Sequence, residues 1–470
     1  MKGAARAPAG RPGARRRALD VWMNGERVGT WFTNRSGVDV FQYEDAWLGS
    51  EYRRPLSLSL PILPGNESHT GAVVGDWFEN LLPESRAIRD RLRTRFGAAS
   101  GGAFDLLAAI GRDCVGAVQI VPAGADPGDV RRVEASSMDE EAVARLLRSV
   151  TGSGPLGIHG DEDDDFRFSL AGAQEKAALL RMNGKWYRPR GATPTTHILK
   201  LPLGVVGNMR ADMHDSVENE WLCMQFLAEL GLPVAETELA TFRDEVSAER
   251  ALVVTRFDRV WTNVSSSTKE KWIARLPQED FCQASAVSAA RKYETDGGPG
   301  IRKSLELIRG GTDYEADARI FVMAQLAFWL LAATDGHAKN FAVFLRRDGY
   351  SMTPLHDVLS AWPIIGHGPK LLPLQKTTMA MALRGTRATR RHLDEIDVRH
   401  WRSLALQSGV PGLFEEMITL VERSESALDS VLQRLPEGFP RRLRDTIAKG
   451  VRYQRRRFLG IRGSTPQFAG

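Results

Sequence analysis

Apolar positions change period several times along this 470-residue chain, and each change predicts a different kind of element. Val21-Trp22-Met23, Asn24-Gly25 and Arg27-Val28-Gly29 form an apolar run, a turn dipeptide and a second run, which predicts a short hairpin. Residues 77–96 read as a helix followed by basic helical sequence, Phe104–Ile110 as a helix and Val115–Val121 as a strand. The stretch 122–165 is rich in Gly, Pro, Ser and acid, with a short helix near 138–150. From Phe166 the period returns to two. Phe166–Leu170, Lys176–Leu180, His197–Leu201 and Leu252–Phe257 read as strands, and Ala171-Gly172-Ala173 as a small-residue turn. Between them, Val217, Trp221, Met224 and Leu227 recur at helical spacing, predicting a helix over 212–230 stopped by Gly231 and Pro233. The remainder reads as mainly helical, over 315–333, 391–434 and 441–457. A hairpin around Asp348-Gly349 (Phe341–Leu345 with Tyr350–Thr353) interrupts it. No internal repeat is evident.

The order matters more than any single element. A glycine loop (Ala171-Gly172-Ala173-Gln174) precedes a strand lysine (Lys200), a helix bearing Glu220, an apolar strand ending at Thr255-Arg256-Phe257, and Asp335-x4-Asn340 followed by Asp357. That is the layout of a kinase: a small sheet-rich lobe, a hinge and a helical lobe with the catalytic loop. The expected fold is therefore α+β, protein-kinase-like and bilobal, with an extra N-terminal subdomain. Expected units are a basic disordered tail (1–18), an N-terminal subdomain (19–125), a small lobe (126–260), a helical lobe (261–440) and a basic C-terminal helix and tail (441–470). In this layout Asp335 takes the proton of an acceptor hydroxyl or orients it. Asn340 and Asp357 supply the oxygen ligands that magnesium favours beside ATP phosphates. Lys200 reaches those phosphates, Glu220 is its candidate ion-pair partner, and the Thr255–Phe257 backbone meets adenine. A phosphate on Ser169 would place roughly −1.5 to −2 charge beside the ATP phosphates and expel the loop. Asp335 and Asn340 would equally serve a small-molecule phosphotransferase. A corepressor with a degenerate site is the non-enzyme alternative, and the intact Lys200, Asp335, Asn340 and Asp357 argue against it.

Composition narrows the class. With 43% hydrophobic and 26% charged residues the chain reads as an ordinary globular protein. The formal charge of +5 comes from basic ends on an acidic body. Residues 1–17 carry six positive side chains and no acid, residues 441–470 carry nine against Asp445, and the body between is about −9. Such ends suit either solubilising tails or contact with nucleic acid. Three dispersed cysteines (Cys114, Cys223, Cys282) with no metal-ligand spacing fit a reducing cytoplasm. The longest apolar run, Phe321–Ala333, contains Gln325 and is too short to span a bilayer, and the start has no apolar signal core. A cytoplasmic protein without membrane contact is expected.

The chain resembles HipA, the kinase toxin of bacterial toxin–antitoxin pairs. The resemblance rests on Phe168–Lys176, Thr195–Pro202, Arg256–Arg259, Arg275–Asp280, Lys292-Tyr293-Glu294, Asp296–Gly300 and, above all, Ala333–Phe341. It extends through Arg54–Pro61, Asn80-Leu81-Leu82-Pro83 and Ile110–Asp113, and covers the chain from about residue 20 to the final helices. It implies ATP contacts at Ala171, Gly172, Ala173, Gln174, Glu175, Lys176, Lys200, Thr255, Arg256, Phe257, His337, Ala338, Lys339, Asn340, His356 and Asp357. It also implies Asp335 as catalytic base and Ser169 as an inhibitory autophosphorylation site. Its implied substrate is a protein, glutamyl-tRNA synthetase, whose phosphorylation stalls translation and favours persistence. Its implied partner is a small helix-turn-helix antitoxin, HipB, that represses the operon with it. This chain departs from the pattern in having Thr255 where the hinge carries an acidic residue. It also lacks basic residues at Leu406-Gln407-Ser408-Gly409, so operator DNA is expected to be reached through the antitoxin.

Overall fold

The computed structural model describes residues 17–151, 174–207, 209–263, 270–385 and 388–461. The N-terminal part is a five-stranded antiparallel sheet in the order His69–Thr70, Asp39–Tyr43, Glu26–Thr33, Ala18–Met23, Val118–Pro122. Its first hairpin turns at Asn24 and Gly25, both with positive φ (48° and 91°), the geometry that an Asn-Gly pair favours. Trp31 stacks on Phe78 at 4.0 Å and meets Phe104 edge-on at 4.9 Å, joining the sheet to helices Ala72–Glu79 and Ala103–Ile110. The helical stretch expected over 77–96 is two helices. The first begins at Ala72, and the second, Arg86–Phe96, is capped by Ser85. The break between them, Asn80–Ser85, reaches the functional site.

A six-stranded sheet follows, in the order Thr237–Arg243, Ala248–Thr255, His197–Lys200, Lys176–Met182, Lys185–Pro189, Ala135–Met138. Helix Glu140–Thr151 covers one face, packing Val143 and Leu147 with Leu179, Leu199 and Val253. The two-residue period sends Leu252 and Val254 to the other face, toward helix Ser216–Glu229. The same alternation puts Leu199 into the first core and Lys200 on the side of that helix. The helix starts at Ser216, because Ala211–Met213 pairs with Gly204–Val206 as a small hairpin.

The C-terminal part is built around helix Tyr314–Leu331, of which 13 residues are buried. A helix apolar on every side needs cover all round, and Val398–Ser408, Leu413–Gln433 and Arg441–Leu459 supply much of it. The single helical stretch expected over 391–434 is broken. Thr389–His392 is a strand, and left-handed Gly409 and Gly412 separate the helices on either side of them. This part is less purely helical than expected, because Gln278–Asp280 pairs with the hairpin Ala342–Arg346/Gly349–Met352. Arg346 pairs with Gly349, so that hairpin's turn is Arg347-Asp348.

A buried ionic cluster joins the three parts. Asp113 lies 2.8 Å from Arg259, 3.3 Å from Arg256 and 3.5 Å from Arg275, and it accepts from the Thr195 hydroxyl at 2.7 Å. Asp258 pairs with Arg256 and Arg259 and accepts from the Gly116 amide. Burial alone would raise the Asp113 carboxyl, but Arg259, Arg256 and Arg275 outweigh it and hold it well below the usual range. Among the described residues no helix is long and apolar enough to cross a membrane.

Candidate active site

The buried helix Tyr314–Leu331 aims the loop that follows it. It ends in a left-handed turn at Ala332 (φ 49°), closed by the Ala333 amide donating to Phe328 O at 2.8 Å. Gly336 then passes so close to the Phe328 ring that a Cβ would lie 2.6 Å from it. The loop therefore hugs the helix end and presents Asp335 to the cleft. The Asp335 side chain is 62% exposed, and it accepts a hydrogen bond from the Tyr293 hydroxyl. Crowding by the cleft walls raises its carboxyl above the ordinary value, and the Tyr293 hydrogen bond pulls it back in part. His337 Nε2 lies 3.7 Å from Asp335, while its Nδ1 is buried without a hydrogen-bond partner. Burial, with help from the nearby Lys292 charge, lowers the His337 imidazole to about 4, so it is neutral at physiological pH.

Across the cleft stands Lys200, at the end of its strand. Its ammonium donates to Glu220 at 2.6 Å and to Asp357 at 2.8 Å. Glu220 is 1% exposed, so its carboxylate is buried against the lysine, as its candidacy as ion-pair partner requires. Burial works against the charge on Lys200, but Asp357 and Glu220 more than offset it and hold the ammonium protonated. Asp357 adopts a left-handed backbone (φ 62°), uncommon for a residue with a side chain. Burial would raise its carboxyl, but Lys200 and Lys176 hold it well below the usual range. Asn340 leans on the same segment, its amide donating to Asp357 O at 3.3 Å. Asn340 Oδ1 is buried and has no hydrogen-bond partner. An orphaned amide oxygen beside an ionised carboxylate is a hard-oxygen donor pair, which suits magnesium.

Ile198, Val254, Phe257, Ala342 and His356 form the apolar end of the cleft. The Phe257 ring lies 5.5 Å from that of His356 and 5.8 Å from that of Phe344. The Thr255 amide donates to Glu236 O, and the Arg256 amide to Thr196 O, both at 2.9 Å.

Most of the residues expected here do meet. Lys176, Lys200, Thr255, Arg256, Phe257, Asp335, His337, Lys339, Asn340, His356 and Asp357 all line one cleft. Three others do not line it. Gln174 donates to Leu201 O at 2.5 Å, Glu175 pairs with Arg91, and Ala338 is packed in the core. Two that line it have their charged groups engaged elsewhere. The Arg256 guanidinium belongs to the ionic cluster, and the Lys339 ammonium donates to Asn80 and Asp280. Ser169, Ala171, Gly172 and Ala173 lie outside the described residues. The cleft also contains residues to which sequence reasoning gave no role: Asn80, Leu81, Glu84, Val115, Gln278, Asp280, Gln283 and Lys292. The motifs around Asn80, Gln278 and Lys292 were visible as blocks of resemblance, but nothing local tied them to the cleft.

A sheet lobe with a Lys–Glu ion pair, a hinge strand, and a helical lobe carrying Asp-x4-Asn and a later Asp define the kinase-like bilobal α+β class, here with an additional N-terminal sheet. The chain belongs to the HipA family: the HipA-like C-terminal domain matches residues 168–436 and the HipA N-terminal domain matches residues 19–121. It is similar to "Putative kinase Y4mE" of Sinorhizobium fredii, 32% identical over 425 residues, covering 89% of this chain and 92% of that protein. It is also similar to the serine/threonine-protein kinase toxin HipA of Shewanella oneidensis, 30% identical over 344 residues, covering 69% and 70%. Among solved structures, the complex of Shewanella oneidensis HipA, HipB and operator DNA matches with a TM-score of 0.73 at 23% identity, covering 94% of this chain and 97% of that one. That likeness concerns the fold.

Proposed function

We propose that this chain is an ATP- and magnesium-dependent serine/threonine protein kinase acting as the toxin of a toxin–antitoxin pair. The observation that carries the reading is the ion-pair chain in which Lys200 bridges Glu220 and Asp357, facing Asp335 across one cleft, with the buried Asn340 Oδ1 left for a metal. In this reading Lys200 holds the α- and β-phosphates, and Glu220 fixes the lysine. Asn340 and Asp357 hold magnesium, which when bound neutralises charge on the β- and γ-phosphates. The amides of Thr255 and Arg256 are engaged in the sheet, which leaves the Phe257 N–H as the hinge donor to adenine. Asp335 accepts the proton of the acceptor hydroxyl while the γ-phosphoryl moves in line onto its oxygen.

The acceptor is a protein of the translation apparatus such as glutamyl-tRNA synthetase, as the family implies, giving growth arrest. Ser169 is a self-limiting acceptor in the same chain. The partner is a HipB-like helix-turn-helix antitoxin through which operator DNA is bound. The Shewanella complex of HipA, HipB and operator DNA supports this part of the reading. The site is cytoplasmic. The deciding experiment is intact mass after incubation with ATP and magnesium, for wild type and Asp335→Ala. One phosphate on Ser169 in the wild type and none in the variant is the expected result. No transfer by the wild type, alone or with a protein acceptor, overturns the kinase reading.

A further inference from the structure

Phosphoryl transfer leaves the protein little covalent work, so the placement of positive charge is decisive. Five cationic side chains line the cleft: Lys176, Lys200, Arg256, Lys292 and Lys339. Arg256 has its guanidinium engaged inside the buried ionic cluster, and the Lys339 ammonium gives all three donors to Asn80 O, Asn80 Oδ1 and Asp280. Lys176 and Lys200 stand on neighbouring strands of the sheet lobe and are register partners. They face the phosphates that stay behind. On the side of Asp335, where the γ-phosphoryl must go, stands Lys292.

Its position is fixed from three directions. The Lys292 carbonyl accepts from the Ala338 amide of the catalytic loop at 3.4 Å. The next residue, Tyr293, donates its hydroxyl to Asp335. The ammonium itself donates to Glu84 Oε2 at 2.5 Å. Glu84 comes from the N-terminal part, at the break between helices Ala72–Glu79 and Arg86–Phe96. Both side chains are mostly shielded, at 16% and 19% exposure, and both line the cleft.

We propose that Lys292 is a further catalytic residue, its ammonium neutralising the phosphoryl group in transit, and that Glu84 is its positioning residue. The proposal rests on the kinase reading above. In the step, the bond between Pγ and the β–γ bridging oxygen breaks and ADP leaves with its electrons. A bond forms between Pγ and the acceptor oxygen, and the hydroxyl proton passes to Asp335. Charge held on the three equatorial oxygens during this exchange falls within reach of the two N–H donors that Lys292 does not give to Glu84. The N-terminal part then completes the active site through Glu84, from the break between its helices.

The test is the rate of self-phosphorylation, followed by intact mass at varied ATP, for wild type, Lys292→Met, Lys292→Arg and Glu84→Gln, with ATP affinity measured by calorimetry. Loss of one donor to developing charge slows an enzyme about 10²- to 10³-fold in kcat. Lys292→Met is expected to fall by that much with unchanged ATP affinity, Lys292→Arg to recover part of it, and Glu84→Gln to fall far less than Lys292→Met. If Lys292→Met transfers phosphate at close to the wild-type rate, the proposal is wrong. Equal losses in Lys292→Met and Glu84→Gln would make the pair a structural staple and also overturn it, as would a Lys292→Met protein that no longer binds ATP. A wild type that transfers nothing fails the kinase reading instead, and is told apart by that result alone.

Discussion

Asp113→Asn is the sharpest test of how the three parts are held together. The substitution keeps the shape of the side chain and removes one charge from a buried cluster of two carboxylates and three guanidiniums. In the wild type the cluster already carries an excess positive charge, and its weakest-compensated member is Arg275, which burial lowers to about 10. Arg275 sits 3.5 Å from Asp113 and donates to Ala192 O at 2.9 Å. In the variant, three buried cations face Asp258 alone. Leaving buried charge unpaired in this way costs about 3–5 kcal/mol. For a chain of this length, at roughly 1 °C per kcal/mol, thermal unfolding should shift down by about 3–5 °C. Arg275→Met alone should cost much less, because it brings the cluster to charge balance, and added to Asp113→Asn it should restore part of the loss. The sign with pH is set by the depressed Asp113 pKa. Its contribution is fully present above about pH 4, the unfolded value, and is lost as pH falls toward the folded value, so the gap between wild type and Asp113→Asn should close on acidification. Scanning calorimetry of the four proteins at neutral and acid pH measures all of this. An Asp113→Asn protein that melts with the wild type, or an Arg275→Met protein as unstable as Asp113→Asn, would refute the charge-balance reasoning.

Other outcomes follow from the same geometry. Asp335→Asn should slow phosphoryl transfer by about 10²- to 10⁴-fold while calorimetry finds ATP affinity nearly unchanged, since Asp335 faces the acceptor. Lys200→Met should weaken ATP binding in the same assay, and its stability should fall more steeply with rising pH than the wild type's. Burial already pushes Glu220 up to about 7, and without Lys200 the carboxyl rises further. A raised acid loses stability as pH climbs from its unfolded to its folded value, so Lys200→Met should melt lower at pH 8 than at pH 6, checked by thermal scans. Gly450→Ala places a Cβ 2.2 Å from the Trp362 ring and should cost about 1–3 kcal/mol in urea titrations.

What the sequence made legible was an order of residues more than any single one. The Asn24-Gly25 turn announces itself by a dipeptide with a fixed geometry, but Lys200, Asp335, Asn340 and Asp357 announce themselves only as a set in kinase order. Glu220 did not, because a buried acid and a solvated one look alike in a helical pattern until the facing strand is known. Glu84 and Lys292 were still less visible, being more than 200 residues apart and joined only by folding. The misplaced boundaries have local causes. Helix 391–434 was over-extended because two glycines in left-handed turns leave the apolar period almost in phase, and strand Gln278–Asp280 is too short to show a period at all.

The last helix bears on timing during synthesis. Arg441–Leu459 sets Gly450 against Trp362, and its Gln454 donates to Trp329 O, inside the helix that aims the catalytic loop. Val451 and Phe458 belong to the same core. This side of the buried helix Tyr314–Leu331 is thus left uncovered until nearly the whole chain has emerged. At about 5–20 residues per second, a nascent chain carries Asp335 for on the order of ten seconds before that cover exists. A message cut short before the final helix therefore yields a chain in which Trp329 and Trp362 lack this cover.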